Sequence, residues 1–287
     1  MEPETRTVRA GSEDGRRDLA PRLEAEGILE LDVEPFALRD DEIELTERRW
    51  GKGRAKHVGY NPSTNKCDGA GDEGPELDRV RALLARYGDW ASDLIARFFP
   101  DYHPRLEIGR ASLRTRSAEE AAPSWRKDDR RLHVDAFTSQ PVAGRRILRT
   151  FTNIDSAGAA REWAIGEGFE EHARRFLGRT RRLAPGEAAL LRGIGLTKSV
   201  RTDYDQIMLG IHDAAKRDLA YQASAARRRI AFPAGATWVV FVDQTPHAAL
   251  AGRGALEQTF YLPVDALHDE ASSPLRVLER LTGGPLT

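Results

Sequence analysis

The sequence predicts a mainly β fold, a sandwich or barrel with helices packed outside it. Three observations carry this. Five β-like segments, 105–116, 131–137, 145–154, 236–243 and 257–263, are short and bounded by Gly, Pro, Asp or Asn. Helical stretches near 168–181 and 203–222 interrupt them. Hydrophobic residues make up 40% of the 287, enough to supply a core.

Taken in order, residues 1–20 are polar and expected to be loosely ordered, and 21–287 are expected to form a single domain. "GILELDVEPFAL" (27–38) is rich in β-compatible residues. Residues 51–75 are dense in Gly, Asn, Asp and Pro and read as a long loop. Residues 76–99 form an amphipathic helix: Leu77, Val80, Leu84, Tyr87, Ala91, Leu94, Ile95 and Phe98 fall on one stripe, and Pro100 stops it. No internal repeat or low-complexity tract follows.

Composition excludes several functions. With 44 Lys and Arg against 45 Asp and Glu, the net charge is −1, which gives nucleic-acid binding no support. Cys67 stands alone, so neither an internal disulfide nor a cysteine-based zinc site is expected. The first twenty residues lack the apolar core of a secretory signal. The longest apolar runs, such as "TWVVFV", are far shorter than a membrane span. A soluble cytoplasmic protein is expected.

"RLHVDAFTSQ" (131–140) sets His133 and Asp135 two apart, which on a strand puts both side chains on one face. Such a pair is weak alone, and His268-Asp269-Glu270 offers another. Position separates them. His268 lies in a polar stretch with no histidine after it, whereas His133 begins a strand and has His247 downstream, at the mouth of the strand "TWVVFV". Two imidazoles and one carboxylate on a β scaffold make the facial triad of non-haem Fe(II) oxygenases. Three ligands hold one face of an octahedron and leave three positions, two for a chelating 2-oxo acid and one for O2. A closed zinc site would want a fourth ligand.

A 2-oxoglutarate site also needs a cation for the distal carboxylate. Arg149, sixteen residues after His133 in an otherwise apolar strand, is the first choice, and Arg253 in the turn "AGRGA" the reserve. Arg110, Arg114, Arg116, Arg126, Lys127, Arg130 and Arg131 crowd the approach to His133. By strand parity Arg131 faces with His133 and Asp135, which makes it the candidate contact for an anionic substrate. A plain solvated face explains the other bases equally well. "LRGIGLTKS" (191–199) lacks phosphate-loop spacing, and no G-x-S-x-G elbow exists.

Four blocks, "SWRKDDRRLHVDAFTSQPVAGRRILRTFTNID" (124–155), "YDQIMLGIHDAAKRD" (204–218), "FPAGATWVVFVDQTPHAALAGRGALEQTFYLPV" (232–264) and "SPLRVLERLTG" (273–283), resemble the Kdo hydroxylase family. The likeness runs from about residue 28 onward. It implies a double-stranded β-helix, a jelly-roll of the cupin kind. It also implies an Fe(II)/2-oxoglutarate-dependent dioxygenase that hydroxylates 3-deoxy-D-manno-oct-2-ulosonic acid (Kdo) at C3 within Kdo–lipid A. His133, Asp135 and His247 match its metal positions. The partner is then an anionic glycolipid, together with O2. No amphipathic anchor stands out, so contact with the inner membrane is expected to be electrostatic and transient. A 2-oxoglutarate oxygenase acting on another anionic sugar or lipid, or a non-catalytic metal-binding barrel, are the alternatives.

Overall fold

The computed structural model describes residues 7–9, 19–50, 57–70, 74–120, 122 and 124–287. The strands are β1 (Thr7–Arg9), β2 (Ile28–Asp32), β3 (Val58–Asn61), β4 (Lys66–Asp68), β5 (Glu107–Arg114), β6 (Arg146–Asn153), β7 (Arg161–Ile165), β8 (Arg228–Phe232), β9 (Thr237–Phe241), β10 (His247–Ala251) and β11 (Ala255–Leu262). They form a large sheet, β1-β2-β9-β6-β11-β5-β3-β4, and a small one, β10-β7-β8. β1 pairs parallel to β2; the other pairs are antiparallel.

The segment expected as a strand at 131–137 is an extended run with one bridge rather than a ladder. His133 and His247 exchange backbone hydrogen bonds of 3.1 and 2.9 Å, and Asp135 N–H donates to Val242 O at 2.8 Å. A turn at 128–131 shifts the register, so that the next bond to β10 runs from Ala249 N–H to Asp129 O at 2.8 Å. Counted with the small sheet, it completes the row 131–135, β10, β7, β8, which faces β5, β11, β6, β9. From β5 to β11 successive segments thus switch between two antiparallel sheets, except at the β7–β8 hairpin, where both strands stay in the small one; this is the double-stranded β-helix.

β6 lies at the centre of the large sheet, and all eight of its residues are buried. Alternation sends Thr150 and Thr152 to one face and Arg149 and Phe151 to the other. The first face meets the long helix. Helices are α1 (Leu19–Glu26), α2 (Asp40–Glu47), α3 (Pro75–Phe98), α4 (Phe169–Phe176), α5 (Glu187–Gly193), α6 (Asp203–Arg217), α7 (Leu219–Ser224) and α8 (Pro274–Thr282). In α3, Pro75 occupies the first turn, where its missing N–H costs nothing, and Phe99 N–H caps Ile95 O ahead of Pro100. Its expected stripe is buried, save Leu77, which is only partly covered. Tyr87 places its hydroxyl 3.2 Å from Thr152 Oγ1. Each such large apolar side chain, fully buried, contributes about 1.5–3 kcal/mol, so the stripe fixes the helix on the sheet.

Between the sheets Trp163 of β7 meets Phe151 and Trp238 edge-on at 5.1 and 5.5 Å. Phe232 stacks on Trp238 at 4.0 Å.

The loop expected at 51–75 contains the β3–β4 hairpin, whose register Tyr60↔Cys67 is fixed by pairing with β5. Its ends, 51–56 and 71–73, lie outside the described residues. So does most of the stretch 1–20 expected to be loosely ordered, though Thr7–Arg9 pairs with β2 and α1 begins at Leu19. β7, β8 and β10 were not expected. They are five residues each, and "REWAI" and "RRIAF" mix charge into the pattern.

Candidate active site

The bridge between 131–135 and β10 brings the two histidines together. His133 and His247 ring centroids lie 4.7 Å apart. Asp135 Oδ1 lies 3.4 Å from His133 Nε2 and 3.9 Å from His247 Nε2. One ligand atom from each of the three falls within 4.8 Å of the other two, and no other such group occurs among the described residues.

Backbone carbonyls fix the tautomers. His133 Nδ1 is 2.7 Å from Arg131 O, and His247 Nδ1 is 2.8 Å from Thr245 O. A carbonyl only accepts, so each Nδ1 carries the proton and each Nε2 keeps its lone pair for the centre of the cluster. Burial pushes His133 down to about 3, with Lys216 adding to the effect, and burial also lowers His247. Both imidazoles are therefore neutral near pH 7. Burial opposes ionisation of Asp135, yet Arg149 and the hydrogen bond from His133 hold its carboxyl well below the usual range. Two neutral nitrogens and one carboxylate oxygen form a donor set suited to Fe(II).

Arg149 grips the other oxygen of the carboxylate: its Nη1 is 2.9 Å from Asp135 Oδ2 and 3.3 Å from Glu257 Oε1. Oδ1 is left facing the histidines. Glu257 also binds Arg114, with contacts of 2.7 and 2.6 Å. Burial works against its ionisation, but Arg114 and Arg149 hold its carboxyl down at about 2. Trp163 stacks on His247 at 5.1 Å and 15° and, with Phe151, gives the centre an apolar wall.

The cluster opens into a cavity of about 460 Å³, within the range of roughly 300–1,000 Å³ common for ligand sites. Seven Lys and Arg line it against five Asp and Glu. Arg114, Arg116, Arg126 and Lys127 of the basic run are among them. Arg131 is not. The turn at 128–131 breaks strand parity there, and Arg131 donates to Lys216 O at 2.7 Å and reaches Asp128 at 3.4 Å. Arg253 is also away from the cavity, near Asp155 at 3.7 Å. His268 sits 3.3 Å from Asp101 and joins no metal-like cluster.

Sequence reasoning missed Arg161. It opens β7, is buried, and lines the cavity. Its Nη1 donates to Gly252 O at 3.3 Å, its Nε has no partner, and it forms no ion pair among the described residues. Burial, with Arg114 nearby, lowers its pKa to about 10. The signal was the alternation Arg161, Trp163, Ile165, readable only once 161–165 is taken as a strand. His57 and His212 also line the cavity unforeseen, His212 edge-on to His133 at 5.4 Å.

A jelly-roll carrying two histidines and a carboxylate on its inner rim defines the non-haem iron oxygenase class. A sequence model of the 3-deoxy-D-manno-oct-2-ulosonic acid (Kdo) hydroxylase family matches residues 7–285. Among solved structures, the apo Kdo hydroxylase KdoO, a non-haem Fe(II) α-ketoglutarate-dependent dioxygenase, is 38% identical, with a TM-score of 0.90 over 96% of this chain and 93% of its own. KdoO with α-ketoglutarate and Fe(III) is 36% identical over 100% and 95%, TM-score 0.90. KdoO with cobalt(II) is 37% identical over 99% and 96%, TM-score 0.91. A search of curated proteins gave no match. The chain belongs to the Kdo hydroxylase family and, with it, to the Fe(II)/2-oxoglutarate-dependent dioxygenases.

Proposed function

We propose that this chain hydroxylates Kdo at C3 within Kdo–lipid A, with Fe(II) on His133, Asp135 and His247 and 2-oxoglutarate as co-substrate. The observation that carries the reading is the three-ligand cluster opening onto a basic cavity. When bound, the iron supplies the activation of O2 that couples decarboxylation of 2-oxoglutarate to hydroxylation.

The chain's own residues position and insulate. His133 and His247 present unprotonated Nε2 atoms, and Arg149 turns Asp135 so that one oxygen faces them. Trp163 and Phe151 keep water from one side. For the distal carboxylate of 2-oxoglutarate, sequence favoured Arg149, but that guanidinium already serves two carboxylates. We assign the role to Arg161, which is buried, lines the cavity and forms no ion pair among the described residues, and whose Nε, like that of Arg149, has no partner. A buried donor without an acceptor costs about 1–3 kcal/mol, and an arriving carboxylate removes that cost. In place of Arg131, the substrate carboxylate is assigned to Arg116, which lines the cavity with its Nε unpartnered.

The cavity has room for one sugar acid beside a small dicarboxylate, not for acyl chains, so the lipid portion stays outside. No helix among the described residues is long and apolar enough to cross a membrane. The proposed location is the cytoplasm, at the inner membrane surface.

The test incubates the protein with Kdo–lipid A, Fe(II), ascorbate and 2-oxoglutarate. One added oxygen on Kdo and matching succinate are expected. Oxygen on another group points to a different anionic substrate, and metal binding without succinate points to a binding module.

A further inference from the structure

Seven large hydrophobic residues are exposed among the described ones, and four fall within eleven positions: Leu190, Ile194, Leu196 and Val200, 48–61% exposed. They occupy the end of α5 and the turn after it, the stretch "LRGIGLTKS" that matched no phosphate loop. The turn is ordered. Ile194 N–H donates to Leu190 O, Gly195 N–H to Arg192 O and Leu196 N–H to Leu191 O, each at 3.0 Å. Gly195 takes φ +73°, a conformation that favours glycine. The backbone therefore holds these apolar side chains out in water rather than letting them fold under.

Charge on this projection has one sign. Residues 188–202 contain Arg192, Lys198 and Arg201 and no Asp or Glu. Arg192 and Lys198 are exposed and form no ion pair among the described residues, whereas Arg181 and Arg182 beside them are matched by Glu187 and Asp203. Exposed apolar side chains flanked by unmatched cations suit an anionic lipid surface, where tails take up the first and headgroups pair with the second.

The projection is also fixed to the active site. Lys198 N–H donates to Ser139 O at 2.9 Å, Ser199 Oγ reaches Pro141 O at 3.5 Å, and Arg201 donates to Thr138 O. Thr138 follows the cavity residue Phe137, and Ser139 is four residues from Asp135, a span of at most about 14 Å.

We propose that Leu190, Ile194, Leu196 and Val200, with Arg192 and Lys198, dock this protein on an anionic bilayer and present the cavity to a headgroup there. This rests on the reading of a lipid-linked substrate. It adds an apolar part to the contact expected from sequence to be electrostatic and transient. The anchor is a short turn held by glycines, without the helical period by which amphipathic anchors are recognised.

The test uses the full chain and vesicles without substrate. Flotation with phosphatidylglycerol–phosphatidylethanolamine vesicles at low salt is expected, with little on phosphatidylcholine. The variant Ile194→Asp/Leu196→Asp should lose at least tenfold in vesicle partitioning. Arg192→Ala and Lys198→Ala should each lose about fivefold. Iron binding and succinate formation with detergent-dispersed substrate should stay unchanged in all three. Wild-type failure to float, or variants that float as well as wild type, overturns the proposal. So does a wild-type dimer that the double substitution converts to monomer without changing flotation, which would make the patch a contact between copies. If vesicles bind and the substitutions release them but Kdo gains no oxygen, the functional reading fails and the docking surface stands.

Discussion

β6 carries two buried arginines, and their surroundings differ. Arg146 points to a closed end of the molecule. Its Nε meets Asp243 at 2.8 Å with both side chains inaccessible, and its Nη2 reaches Gln244 at 2.6 Å. Gln244 in turn donates to Glu24 O, and Glu24 accepts from the backbone of His268 and Asp269 at 2.9 and 2.7 Å. This network ties α1 and the C-terminal region to the sheet. Arg149, three residues on, faces the cavity. It too is paired, but its partner Asp135 turns one oxygen toward two bare imidazole nitrogens, and the same cavity is lined by Arg161, which forms no ion pair among the described residues. The difference separates structure from function. At the closed end every carboxylate has its cation or backbone donors within the chain, though Arg146 Nη1 is left without a partner; around the cavity a guanidinium without any ion pair and two bare imidazole nitrogens face open space.

The largest effect is expected at the metal cluster. His133→Ala, Asp135→Ala or His247→Ala should each abolish succinate release while leaving the thermal melt within a few degrees, because these groups serve a ligand rather than the core. A variant that keeps near-normal turnover is not a ligand.

At the closed end the expectation is reversed. Arg146→Ala leaves Asp243 buried and uncompensated, a loss of about 3–5 kcal/mol in urea unfolding. Replacing both, as Arg146→Met/Asp243→Leu, should recover most of it, since two well-packed apolar groups need no partner. A cost under about 1 kcal/mol for the single variant would show that the closed end is not tightly closed.

Arg161→Ala should weaken 2-oxoglutarate by roughly 2–5 kcal/mol, thirty-fold to several thousand-fold. Arg161→Lys should recover part, keeping charge but losing the planar fork. Arg149→Ala should act more on iron affinity, through a misoriented Asp135, and Arg253→Ala on neither. Anaerobic titration of the Fe(II) protein, following its visible charge-transfer band, decides. A larger 2-oxoglutarate shift for Arg149→Ala would return the role to Arg149. The smallest effect is expected at the decoy: His268→Ala and Glu270→Ala should leave iron binding and turnover unchanged, and loss of iron in either would mean the wrong acid–histidine pair was chosen.

The sequence by itself determined what is local or periodic. Turn residues and short apolar runs placed β5, β6, β9 and β11. A 3.6-residue stripe placed α3. The spacing of His133 and Asp135 put both on one side of an extended run, a relation fixed by backbone alternation. Only the tertiary structure decided what depends on which segments meet. The bridge His133↔His247 brought the two rings, which strand position had only nominated, to 4.7 Å. The turn at 128–131 removed Arg131 from the face that parity gave it. Arg161 entered the site because β7 pairs with β10. Arg149 was legible as a buried arginine in need of a partner, but its partner could not be read. The Coulomb energy that holds it depends on distances to Asp135 and Glu257, fourteen residues before it and 108 after it in the chain. Chain order carries no such distances; packing of the two sheets sets them.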